Sequence, residues 1–203
     1  MDAEQTRVKI LDAADALFGE LGFDVTTTRD IAQRSGVNKA LIHYHFGTKD
    51  DLLEALLEGY YARLGTALLG AMGRRKGLEA QVVDLLDGYA DFLAENRSFT
   101  RIVQREVASG RHMERIVART LPLFQLGVDW LETGLKRPPK DLDAVQLLTT
   151  VYGMVVTWFT YGEVIRKLTG KDPFSPAALA ARKRHVHKVI ALLLAELDVR
   201  GSS

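Results

Sequence analysis

Lys39, Ala40, Leu41, His43 and Tyr44 stand close together in the string NKALIHYHF, and between them they offer a cation, small or apolar groups and ring donors. That mixture suits the wall of a DNA major groove, where base edges present donors, acceptors and a methyl group in a readable pattern. Lys49 comes a few residues later, behind a Thr48/Asp51 pair that marks a helix start. Exposed N–H groups and an ammonium at such a start attract an anion, so Lys49 is expected to hold phosphate and Lys39 to read a base edge.

Other chemistry lacks candidates. The chain has five histidines. His43 and His45, like His185 and His187, are two apart, which on a helix turns them to different faces, and there is no cysteine to complete a zinc set. Nothing matches a phosphate-cradling glycine loop or a nucleophile elbow. The expectation is a protein without metal, cofactor or catalytic residue, and not an enzyme. Arg182, Lys183, Arg184, His185 and Lys188 read as a solvated helix face.

The elements that must position these side chains are legible nearby. Thr27 followed by Asp30 is a capping box, which starts a helix carrying Ile31 and Ala32 on its apolar face. Gly36 ends it, because a glycine enters the left-handed conformation without a Cβ clash. Asn38 can cap a second helix, in which Ile42 and Phe46 at i and i+4 point inward and leave Lys39 to Tyr44 outside. Residues 27–46 therefore read as a helix-turn-helix. Upstream, 3–21 is amphipathic, with Ile10, Ala14, Leu17, Phe18 and Leu21 on one stripe and an acidic outer face.

From Thr26 to Leu52 the string TTTRDIAQRSGVNKALIHYHFGTKDDL resembles the tetracycline-repressor (TetR) family of bacterial regulators: threonines, RDIA, a GV turn, a short helix ending in an aromatic and histidine cluster, and a lysine opening the next helix. The family usually has tyrosine before histidine in that cluster, whereas this chain has His43 before Tyr44. The resemblance implies an all-α fold, with an N-terminal three-helix helix-turn-helix domain and a larger C-terminal bundle for ligand binding and dimerisation. It implies a DNA-contacting set of Thr27, Thr28, Arg29, Asn38, Lys39, Ala40, Leu41, His43, Tyr44 and Lys49. It also implies a homodimeric, ligand-released repressor on a palindromic double-stranded operator.

The rest of the chain agrees in pattern. Its 203 residues suffice for one large or two small domains, and the expected division is 1–63 for DNA and 64–203 for ligand and dimerisation. No strand pattern or repeat occurs. The acidic, polar opening MDAEQ lacks the basic start and apolar core of a secretory signal, which with the missing cysteines predicts a cytoplasmic protein. A net charge of +1 argues against indiscriminate nucleic-acid binding, but Arg29, Arg34, Lys39 and Lys49 concentrate positive charge on the motif.

Further helices are expected over 78–95 and 99–108, with a boundary or kink at Pro122 and a stop before Pro138. Gly70 to Gly77, with the basic triplet 74–76, reads as a loop. The segment from Ala144 to Gly162 is long enough to span a bilayer, but Gln146, Thr149, Thr150, Thr157 and Thr160 dilute it, so it is assigned to a bundle centre or subunit interface. With the last helix, to about Leu197, it supplies the expected interface: Val151, Val155, Phe159, Val186, Ile190 and Leu194. A pocket lined by Phe92, Ile102, Phe124, Trp130, Met154 and Trp158 would admit a small, largely apolar effector. Two alternatives stay open: a DNA-binding protein of this fold without an effector, acting architecturally or through a protein partner, and an all-α enzyme.

Overall fold

A computed structural model describes residues 2–72, 77–134 and 143–201, with side chains described up to residue 195. The described residues form helices: α1 (Ala3–Glu20), α2 (Thr28–Ser35), α3 (Lys39–Phe46), α4 (Lys49–Met72), α5 (Leu78–Glu95), α6 (Arg97–Ser109), α7 (Met113–Gly134), α8 (Ala144–Thr160), α9 (Gly162–Thr169) and α10 (Pro176–Gly201). The chain is all-α, with an N-terminal helix-turn-helix region and a larger C-terminal helical region. The basic triplet and Pro138 lie outside the described residues. Among the described residues no helix is long and apolar enough to cross a membrane.

The chain divides into two compact units, one of Met1–Arg63 with Asn96–Arg119, the other of Leu64–Glu95 with Thr120–Ser203. This differs from a single cut after residue 63, and the reason is packing. The first unit's core joins Ile10, Ala14 and Phe18 of α1 to Ile31, Ile42, Leu53 and Leu57, and Ile102 and Ile116 enter the same cluster. Each of the Ile, Leu and Phe side chains contributes about 1.5–3 kcal/mol on full burial.

Polar ties add to it. Arg105 donates to the Phe18 and Glu20 carbonyls at 3.3 and 3.2 Å, and Arg115 to the Asp50 carbonyl at 2.8 Å. Arg119 pairs with Glu54. The buried His112 ring lies 2.5 Å from Glu106 through Nδ1 and 3.1 Å from Asp50 through Nε2, with its edge against Phe23. In this unit α1 packs on α2, α3 and α6.

The second unit has α5 against α8 and α10, and α8 against α9. Val82, Leu86, Phe92 and Leu93 of α5, Val155 of α8, and Val186 and Ile190 of α10 are its buried apolar residues near these contacts. The α8–α9 junction requires close approach. A Cβ on Gly162 would lie 2.2 Å from Phe174 Cζ, and Phe174 is itself stacked on Phe159 at 5.8 Å.

Of the boundary or kink expected at Pro122, the boundary does not occur, because the residue lies inside α7. Pro122 and Ala118 are both exposed, so water can take the carbonyl that the missing N–H would have engaged. The short α9 had no counterpart among the expected elements.

Candidate nucleic-acid interface

α2 begins in a complete capping box: Asp30 N–H donates to Thr27 Oγ1 at 3.2 Å, while the Thr27 N–H and hydroxyl donate to Asp30 Oδ2 at 2.8 and 2.7 Å. Those bonds, the hydroxyl's first and the backbone's second, hold the Asp30 carboxyl below its ordinary range. Gly36 at φ 68° closes α2 and turns the chain. Asn38 Oδ1 then accepts from Ala40 N–H at 2.9 Å and starts α3. A second box, Thr48 with Asp51, starts α4, and again the Thr48 bonds lower the Asp51 carboxyl.

With Ile42 and Phe46 in the core, α3 turns Lys39, Ala40, Leu41, His43 and Tyr44 to solvent, Tyr44 being 81% exposed. The His43 ring is fixed. Its Nδ1–H donates to the Gly47 carbonyl at 2.8 Å, since a carbonyl only accepts, and the Gly47 N–H donates to the His43 carbonyl at 2.9 Å. In the neutral ring this leaves Nε2 as an acceptor, the partner for an amino group on a base edge.

The cations divide into two groups. Arg34 grips Glu20 at the end of α1 through two bonds of 3.0 and 3.1 Å. Lys49 Nζ donates to the carbonyls of Phe23 and Thr26 at 2.7 and 2.8 Å and lies 4.1 Å from the Phe23 ring centroid. The expected phosphate-holding Lys49 is thus engaged in tying the α1–α2 connection to the start of α4, a role that sequence spacing does not reveal. Arg29 and Lys39 are exposed and, among the described residues, form no ion pair. Thr27 and Thr28 are exposed and half-buried at the start of α2. Arg7 lies with its guanidinium 5.4 Å over the Phe46 ring, beside the same helix.

The residues expected to line an effector pocket do not come together. Ile102 is 2% exposed in the first unit's core, because α6 packs on α1. Phe92 is buried in the second unit, Phe124 meets Tyr152 edge-on at 5.2 Å, and Trp130 is half-buried. Of the six, only Trp158 lines a shallow cleft in the second unit, which encloses about 20 Å³, room for about one water, and is otherwise open to solvent. Met154 contributes its carbonyl beside it, accepting from Arg182 Nη2 at 2.6 Å.

The expected interface also changes. Val155, Val186 and Ile190 are 4, 5 and 2% exposed within this one chain, turned toward α5 rather than outward, so they are removed from it. Val151 and Leu194 are half-buried, and Phe159 is half-buried against Phe174. Among the described residues, the large apolar side chains that α10 leaves exposed are Leu192 and Leu193.

Among the described residues no group of histidine and carboxylates could hold a metal ion. Residues 10–56 match the family model described as bacterial regulatory proteins, tetR family. The HTH-type transcriptional repressor Rv3405c of Mycobacterium tuberculosis is 29% identical over 83% of this chain and 80% of its own length. The ketosteroid transcriptional regulator KstR2 of M. tuberculosis superposes with a TM-score of 0.72 at 20% identity, covering 91% of this chain and 93% of that one. The fatty acid degradation regulator FadR of Bacillus halodurans gives 0.72 at 20% identity, covering 91% and 94%.

Proposed function

This chain belongs to the TetR family of bacterial regulatory proteins, and from that premise we propose that it is a ligand-released transcriptional repressor that binds a palindromic operator as a homodimer. The observation that supports this most is the rigid outward face of α3. Lys39, Ala40, Leu41, His43 and Tyr44 project from a helix anchored by Ile42 and Phe46 and capped at both ends. Lys39 supplies the cation of that face, and the start of α2 adds the exposed Arg29 and N–H groups for phosphate.

One such head makes few contacts. Two related by a twofold axis reach successive major grooves when their recognition helices lie about 34–36 Å apart, which calls for a palindrome. Exposed Leu192 and Leu193 on α10 are the apolar groups offered to the second copy. Release needs an effector that prefers a different spacing of the two heads. α4 begins beside α3 and has residues in both units, so it is the element through which a ligand would act. A preference of about 3 kcal/mol lowers operator affinity by roughly two orders of magnitude, and bound operator lowers effector affinity equally.

The test is fluorescence anisotropy with a palindrome taken from beside the protein's own gene, against scrambled DNA, at two salt concentrations. Selective binding by a dimer is expected. Equal binding to both DNAs would sink the operator reading and leave an architectural role.

A further inference from the structure

The cleft of the second unit has apolar walls from Leu86, Ala90, Val155, Trp158, Phe159 and Val186. Its charged groups are largely matched. Lys183 Nζ bonds Asp91 Oδ1 at 2.6 Å, and His187 Nε2 lies 2.7 Å from Asp87 Oδ1. Arg182 is the exception: among the described residues it has no carboxylate partner. Its Nη2 donates to the Met154 carbonyl and its guanidinium lies 5.2 Å over the Trp158 ring. Its Nε–H is buried with no hydrogen-bond partner. Nor can the ring below it drift, because Trp158 Nε1 donates to the Pro173 carbonyl at 3.0 Å.

A buried donor without an acceptor is uncommon in folded proteins and calls for a group that completes it. Partial burial lowers the Arg182 guanidinium from its ordinary value, though a guanidinium stays protonated throughout the working range. What it lacks is an anion. Nε–H is one prong of the planar fork with which guanidinium takes two oxygens of a carboxylate. One uncompensated positive charge balances one negative charge, which favours a carboxylate over a dianionic phosphate. The walls ask for the remainder of the ligand to be apolar.

We infer that the cleft beside α5, α8 and α10 binds an apolar carboxylate, with the carboxylate on Arg182 and the hydrocarbon part against Trp158, Val155 and Leu86. The inference rests on the ligand-responsive reading of this unit and gives its ligand a chemical class.

The test titrates the intact protein with octanoate, octanol and octylamine by calorimetry, following tryptophan emission in parallel. Octanoate is expected to saturate a single site and to shift the emission, because Trp158 lies under the guanidinium. Octanol should bind at least tenfold more weakly, and octylamine not at all. Arg182→Gln should weaken octanoate at least tenfold and leave octanol unchanged, while Lys183→Gln, whose cation already has Asp91, should keep octanoate affinity within twofold. Absence of octanoate binding, or equal affinity for octanoate and octanol in the unaltered protein, would overturn the inference, whether or not the Arg182 variant folds. Unchanged octanoate affinity in a folded Arg182→Gln protein would also overturn it. A separate operator titration with octanoate bound distinguishes the two readings: retained DNA affinity refutes release by this ligand and leaves the carboxylate site standing.

Discussion

Lys49 holds Phe23 in two ways: its ammonium donates to the Phe23 carbonyl at 2.7 Å and lies 4.1 Å from the centroid of the Phe23 ring. With the Thr26 carbonyl at 2.8 Å as a further acceptor, one side chain at the start of α4 fixes the segment that leads into α2. The orientation of the helix-turn-helix therefore depends on a cation that solvent and phosphate would otherwise claim.

Lys49→Ala is accordingly expected to lower unfolding free energy by about 1.5–3 kcal/mol, the range for losing charge-assisted hydrogen bonds. Lys39→Ala should leave the melting curve unchanged, cost about 1–3 kcal/mol in cognate operator binding and relax one base position. Circular dichroism melts beside anisotropy titrations separate the two. Identical melts for the two variants would contradict the clamp.

The Thr27–Asp30 box gives an acid-dependent term. Hydrogen bonds hold the folded Asp30 carboxyl below its unfolded value, so its contribution is present above the ordinary carboxylate range and is lost as pH falls through the folded value. Thr27→Ala should cost about 0.5–2 kcal/mol at neutral pH, and Thr27→Ser little. The deficit should shrink on acidification in urea melts. A deficit that stayed constant down to pH values well below the carboxylate range would argue against the box.

Tyr60 and Asp15 give a dependence of the opposite sign. Tyr60 donates to Asp15 Oδ1 at 2.5 Å, yet burial outweighs this bond and the one from Ser98, and raises the Asp15 carboxyl above its ordinary 3.8. A raised folded value favours the fold below the unfolded value and loses that contribution as pH climbs through the folded one. Asp15→Asn should therefore gain stability relative to the native protein as pH rises above about 4, then level off. Tyr60→Phe, which leaves an oxygen short of its donor, should lose about 1–3 kcal/mol. Parallel curves for the native and Asn proteins would refute the assignment.

Gly162→Ala tests the α8–α9 junction. The added Cβ meets Phe174 Cζ at 2.2 Å, and the ring is held by its stacking on Phe159. A loss of about 1–3 kcal/mol is expected, as for other overpacked sites. Gly153→Ala, where nothing lies within 4 Å, is the control and should be neutral or stabilising. Pairing Gly162→Ala with Phe174→Leu should recover part of the loss in thermal melts.

Burial separates two substitutions on α10. Leu192 is 65% exposed and Val186 5%. Leu192→Glu should yield folded monomers by light scattering, with weakened operator binding. Val186→Glu should instead unfold the protein, since it buries an unpaired charge. A dimeric Leu192→Glu protein would place the interface elsewhere.

The helix-turn-helix was legible because its determinants are local. Thr27 and Asp30, Gly36, and Asn38 each act within a few residues, which is the range at which capping and turn chemistry can be read from a string. Distance is what hid the rest. Lys49 finds carbonyls at Phe23 and Thr26, and Arg105 reaches those of Phe18 and Glu20; no periodicity encodes such pairs. The stripe of Val186 and Ile190 was visible as apolar, but a helical period does not say whether its cover is the chain's own α5 or a second copy. Ile102 looked like any inward residue of an amphipathic helix, and only the packing of α6 on α1 assigns it to the first unit. In the sequence Arg182 belongs to a run that reads as a solvated face, and nothing in its neighbours signals a buried Nε–H.

Ile102 and Ile116 in the core of the first unit set an order of events on the ribosome. The helix-turn-helix and its Lys49 clamp have been made once α4 begins, but the core beneath them waits for side chains that are translated after all of α5. At about 5–20 residues per second, that is an interval of seconds in which the nascent chain carries Leu53 and Leu57 without their full cover. A helix-turn-helix region cut off near residue 63 would lack Ile102 and Ile116 from its core, and a shortened form that keeps 96–119 is expected to be the more stable of the two.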